Sequence, residues 1–207
     1  REKGMHSSDT MNIDFAKDYI LEDERVLLRP LQLGDDAHLN IFYEQEPDLW
    51  KYFPIGSAPV DHGMKYYVEQ AVQARVNGLH YSFIVFDKIK NAYVGSTRYY
   101  DIFPVHNVLS IGNTWYGKEF QGTGLNKHAK YLLLQFAFEN IGAVRVQFEA
   151  DNTNEKSIAA MKSIGCTVEG VLRSNRAMHG RRRDTIVLSI LKEEWLQHVK
   201  DHLRRKL

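Results

Sequence analysis

The chain changes hydrophobic period abruptly near its middle, and that change constrains the fold more than any other feature. Val108 to Tyr116 has the composition of a strand, whereas Leu125, Ala129, Leu132, Leu133, Phe136 and Ala137 recur at helical spacing and predict a helix from about Gly122 to Asn140. Joining them is the segment Gly117-Lys118-Glu119-Phe120-Gln121-Gly122-Thr123-Gly124. A turn of this kind leaves the first helical N–H groups unpaired and aims the positive end of the helix outward. Without a Cβ at Gly122 and Gly124, an anion such as pyrophosphate can approach the backbone closely. A Walker loop would need Gly-Lys-Ser/Thr, and a dinucleotide fingerprint would need glycine where Lys127 stands; the chain has neither. A glycine turn into a helix also occurs without any ligand, so the flanking sequence has to decide.

The other periods predict what surrounds this turn. Strands are expected at Arg25 to Leu31, His80 to Asp87, Ala92 to Ile102 and Val144 to Ala150, then at Thr167 to Ala177 and Arg183 to Leu191 around the turn Met178-His179-Gly180-Arg181. Asp35 or Asp36 opens a helix to about Glu46, and a second helix runs from about Val60 to Asn77 against Gly78. Asn152 with Glu155 resembles a capping box for a helix stopping at Gly165, and a polar helix begins at Lys192. This order requires parallel and antiparallel pairing together. The expected fold is α/β (α+β): a mixed, mostly antiparallel sheet of about six to seven strands with helices on both faces. Residues 1–10 lack periodicity and are read as a disordered leader or expression remnant, leaving residues 11–207 as a single domain.

Charge and cysteine usage exclude several classes. Lys and Arg number 27 against 26 for Asp and Glu, so no overall field favours nucleic acid or an anionic membrane, and neither is expected as a partner. Arg181-Arg182-Arg183 and Arg204-Arg205-Lys206 read as solvated surface. The single Cys166 excludes an internal disulfide or a multi-cysteine zinc site and fits a reducing, cytoplasmic location; no metal is expected. No apolar stretch approaches the ~20 residues of a membrane span.

The flanks of the glycine turn carry a resemblance. The pattern Gln/Arg-x-x-Gly-x-Gly/Ala falls on Gln121-Gly122-Thr123-Gly124-Leu125-Asn126, after Ile111-Gly112-Asn113-Thr114-Trp115. It is followed in order by Asn154-Glu155-Lys156-Ser157, Ile164-Gly165-Cys166, Glu169-Gly170-Val171-Leu172-Arg173 and Arg183-Asp184-Thr185. Over roughly residues 23 to 195 the chain resembles the GNAT acetyltransferases, and within them the Rim-type ribosomal-protein N-terminal acetyltransferases. The resemblance implies acetyl-CoA as co-substrate, its pyrophosphate held by the amides of Gln121, Gly122, Thr123, Gly124, Leu125 and Asn126, and its pantetheine arm beside Trp115 and Tyr116. It implies that Asn154 bonds the arm and that Ser157 is a candidate general acid for the leaving thiolate. Trp50, Tyr52 and Phe53 fall where the family places the loop over the acceptor, and equally suit core packing.

The departures concern catalysis. Asn126 stands where the family has Gly or Ala. Relatives carry a glutamate at the position of Ser110, or in some Rim-type members at that of Arg176, and neither residue here can act as a general base. The base is therefore unassigned, with His80, His106, His128 and His179 eligible by chemistry alone. Cys166 reads as a buried thiol, and Lys127 or Lys130 as a contact to a CoA phosphate or as solvated helix face. The acceptor is expected to be a primary amine, best a protein or peptide N-terminus. A small-molecule amine acceptor and a non-catalytic CoA-binding module are the alternatives, and a homodimer is compatible with the resemblance.

Overall fold

The computed structural model describes residues 10–207; except for Thr10, the leader expected over residues 1–10 lies outside them. Eight strands form one sheet in the order β1-β2-β3-β4-β5-β6-β8-β7. They are β1 (Leu21–Glu22), β2 (Val26–Pro30), β3 (Tyr81–Asp87), β4 (Ala92–Phe103), β5 (Val108–Tyr116), β6 (Arg145–Asp151), β7 (Thr167–Met178) and β8 (Arg181–Leu191). The count exceeds the expected six to seven because β1, at two residues, is too short to show a period.

Helices cover both faces. On one, α1 (Asp36–Gln45) and α2 (Met64–Val76) bury Leu39, Met64, Tyr67, Val68 and Ala71 against Ile84 and Trp115. On the other, α3 (Leu125–Gln135) continues through a π turn, Phe136–Asn140, and places Leu125, Ala129, Leu133 and Ala137 in the main core with no exposed surface. Each of those leucines contributes roughly 1.5–3 kcal/mol by burial. α4 (Glu155–Ser163) adds Met161 to the same core.

Three boundaries differ from expectation for local reasons. α3 starts at Leu125 because Gly122 and Gly124, at φ +69° and +89°, hold left-handed conformations that helix does not use. α4 is capped by Asn154, whose side chain accepts from the Ser157 N–H, and not by Asn152, whose N–H donates to the Asp184 carbonyl. The C-terminal segment, α5 (Lys192–Glu194), a π turn and α6 (Lys200–Arg204), is not polar throughout: Trp195, Val199 and Leu203 recur every fourth residue and are buried.

All neighbouring strands are antiparallel except β5 and β6, which pair in parallel only from Val108, Leu109 and Ser110 to Arg145, Val146 and Gln147. Beyond Ser110, β5 keeps β4 as its partner and β6 keeps β8, so the sheet opens between them. A register shift between β4 and β5, with Asn113 at φ +50°, marks a bulge at the start of that opening.

Candidate active site

A cavity of about 750 Å³ occupies the opening and extends to both faces of the sheet, a size suited to a substantial ligand. At one end it is lined by Gln121, Gly122, Gly124 and Asn126 of the glycine turn and by Asn154, Lys156 and Ser157 of α4. At the other end stand Tyr52, Phe53, Tyr100, Glu149, Arg176 and Arg183.

The glycine turn is held rigidly by its side chains. Gln121 donates from Nε2 to the Tyr116 carbonyl at 2.9 Å and accepts from Lys156 Nζ at 3.0 Å, joining the turn to α4. Thr123 Oγ1 donates to the Phe120 carbonyl at 2.7 Å. Arg25 donates to the Thr123 carbonyl and to its Oγ1, both at 3.2 Å. A Cβ placed on Gly122 or Gly124 would meet nothing within 4 Å, so the space over the turn is open to a ligand. The Asn126 amide oxygen accepts from the Tyr116 hydroxyl at 3.0 Å, which turns the family's unusual asparagine into a brace between β5 and α3.

Not all the residues expected to bind cofactor reach the cavity. Leu125 is a core residue, and Thr123 shapes the turn from outside the lining. Trp115 borders the cavity yet buries its ring against Trp50, 4.8 Å between centroids. Ser157 borders the cavity, and its neighbour Asn154 spends the side-chain oxygen on the cap, keeping its amide N–H groups for other partners. Of the three acceptor candidates, Tyr52 and Phe53 line the cavity whereas Trp50 is packed in the core between Trp115 and Phe53.

The acceptor end is assembled over long sequence distances. The Ile55 N–H donates to the Ala177 carbonyl at 3.0 Å, and Arg183 donates to the Tyr52 carbonyl at 3.3 Å, so the loop after α1 is strapped to the β7–β8 hairpin. Arg176, standing where some relatives carry glutamate, points Nη2 at Glu149 Oε2, 3.8 Å away. Glu149 is thus a carboxylate facing the cavity from the neighbouring strand, and the sequence reading missed it. A signal existed: Val146, Phe148 and Ala150 alternate into the core, which puts Glu149 on the opposite face of β6. Asp151 is also present; burial opposes its charge, but bonds from Arg181 and Thr153 hold its carboxyl below the ordinary value. Burial pushes the Tyr100 phenol well up, so it remains a donor at neutral pH.

The histidines separate clearly. His106, His128 and His179 do not line the cavity; His128 Nδ1 lies 2.7 Å from Asp23, and His179 Nε2 lies 3.0 Å from Asp61. His80 does line it, and burial, aided by Arg98, lowers its pKa. Arg98 Nη1 lies 3.2 Å from His80 Nδ1, and because arginine only donates, that lone pair is already used. Ser110 is buried outside the lining. Cys166 is buried too, and burial pushes its thiol up to about 12, which leaves it unreactive. Lys130 is neither solvated nor at the phosphate turn: it is 5% exposed, lines the cavity, and donates to Thr114 Oγ1 at 2.8 Å. Burial pushes its amine down to about 7.

A mixed sheet opened at its one parallel pair, with a glycine-started helix at the mouth, marks an enzyme that draws an extended, anion-bearing ligand through its sheet. The profile of the acetyltransferase (GNAT) domain matches residues 25–167, and the chain belongs to that family and is an acetyltransferase. It is 29% identical over 171 residues to a Bacillus subtilis protein named "Putative ribosomal N-acetyltransferase YdaF", covering 82% of this chain and 91% of the other. A solved acetyltransferase structure from T. thermophilus matches with TM-score 0.78 and 33% identity over 91% of this chain and 96% of that one. Mycobacterium smegmatis RimJ, solved in complex with CoA-disulfide, shares the fold at TM-score 0.76 and 20% identity, covering 91% and 93% of the two chains. The chain falls in the RimJ/RimL-like branch.

Proposed function

We propose that residues 11–207 act as one cytoplasmic domain that transfers the acetyl group of acetyl-CoA to the α-amine of a protein or peptide. The observation that carries this reading is the continuous cavity from the glycine turn, through the opening between β5 and β6, to the acceptor end. The turn's N–H groups and the start of α3 suit pyrophosphate, and the solved RimJ complex with CoA-disulfide supports a CoA-type ligand. The unpaired edges of β5 and β6 suit the amides of the pantetheine arm.

In this reading the amine enters beside Tyr52 and Phe53. Glu149 accepts its proton, directly or through water, as the nitrogen lone pair adds to the thioester carbonyl. The C–S bond then breaks, and Ser157 donates a proton to the departing sulfur. An α-amine suits such a site because its ordinary pKa, ~7.7–8.0, supplies far more neutral amine than a lysine-type amine at ~10.4.

Transfer of labelled acetyl from acetyl-CoA tests the proposal, using a peptide with a free N-terminus, the same peptide blocked there but containing lysine, and a linear polyamine. Label on the free N-terminus is expected. Label confined to the polyamine would assign a small-molecule acceptor, and donor binding without transfer to any of the three would refute catalysis.

A further inference from the structure

One nucleophile in the cavity takes no part in the mechanism above. Lys130 projects from α3 into the donor half, beneath the opening of the sheet, where it lines the same cavity as Thr114, Ser157 and Met161. Its amine donates to Thr114 Oγ1, and Thr114 in turn bonds Thr97, each at 2.8 Å. Thr114 belongs to the stretch of β5 beyond its pairing with β6, next to the bulge. No carboxylate among the described residues is in ion-pair contact with Lys130, and its titratable neighbour is the Cys166 thiol.

A hydroxyl that accepts one N–H fixes the orientation of an amine without occupying its lone pair. A lysine in this setting is stabilised in its neutral form, because an ammonium would need more partners than Thr114 supplies. Burial does push the amine down to about 7, so at neutral pH a large share carries a free lone pair.

From this placement we infer that Lys130 is an internal acyl acceptor: with acetyl-CoA in the cavity and no amine substrate, the enzyme acetylates its own Lys130. The inference rests on the donor reading above. The Nζ lone pair adds to the thioester carbonyl carbon, the C–S bond breaks with its electrons going to sulfur, and the proton lost from nitrogen ends on that sulfur. The products are Nζ-acetyllysine and CoA thiol, and no further reactant is needed.

The test incubates the full chain with acetyl-CoA alone, measures donor binding by calorimetry on the same sample, and maps acetyl groups by peptide mass. Lys127 and Lys156, which line the same cavity, serve as internal comparators. Lys130 is expected to gain one acetyl group at least ~10-fold faster than either comparator, as an oriented neutral amine should. Bound donor with unmodified Lys130 would overturn the inference and leave the donor reading intact. Equal labelling of the three lysines would also overturn it, showing unselective chemistry. Failure to bind acetyl-CoA would overturn both.

Discussion

The two ends of the cavity are built in opposite ways. The donor end is mostly one short stretch of chain, Gln121 to Asn126, presenting backbone N–H groups and braced by Arg25, Tyr116 and Lys156. The acceptor end draws Tyr52, Tyr100, Glu149, Arg176 and Arg183 from separate segments and presents side chains. Backbone contacts tolerate sequence drift if the turn keeps its conformation, whereas side-chain contacts can be replaced one by one. The same cofactor end can therefore persist while acceptors change.

Substitutions that separate the two ends sharpen this contrast. Gly124→Val should have the largest effect and abolish acetyl-CoA binding by calorimetry, since its branch projects into the open space over the turn. Its φ of +89° also costs the folded state ~1–2 kcal/mol, which circular dichroism and melting would register as a stable but weakened fold. Glu149→Gln should lower kcat/KM by ~10²–10⁴ with donor affinity kept; an unchanged rate would remove Glu149 as base.

Lys130→Met probes a donor-end residue outside the local motif. The unfolded chain holds this proton up to the ordinary value of 10.5, while the folded protein releases it at about 7. Between those values the unfolded state binds more protons, so wild-type stability rises with pH across that window. The methionine variant should flatten that rise and be more stable at neutral pH, by ~1–3 kcal/mol in urea unfolding. Ser157→Ala has the smallest expected effect, about a 10-fold loss of kcat with unchanged donor affinity; a wild-type rate would make the serine structural.

The same contrast explains what the sequence disclosed. The strand, glycine turn and helix are neighbours in sequence, so their period change located the donor end directly. Glu149 could be placed on a face of β6 by alternation, but only the opening of β5 from β6 makes that face part of a cavity, and Arg176 reaches it from β7. Trp50 and Lys130 were misplaced for a shared reason: composition marks an aromatic as an acceptor wall and a helix lysine as solvated, whereas tertiary packing buries both. Asn154 lost the cap to Asn152 on paper because a capping box was matched without knowing that the Asn152 N–H is engaged by Asp184.

Acetyl-CoA affinity, measured by calorimetry on wild type, Gly124→Val and Glu149→Gln under one set of conditions, tests the division between the two ends most directly. The account predicts binding by wild type, none by Gly124→Val, and wild-type affinity for Glu149→Gln. Undiminished binding by folded Gly124→Val, or loss of binding on Glu149→Gln, would contradict it.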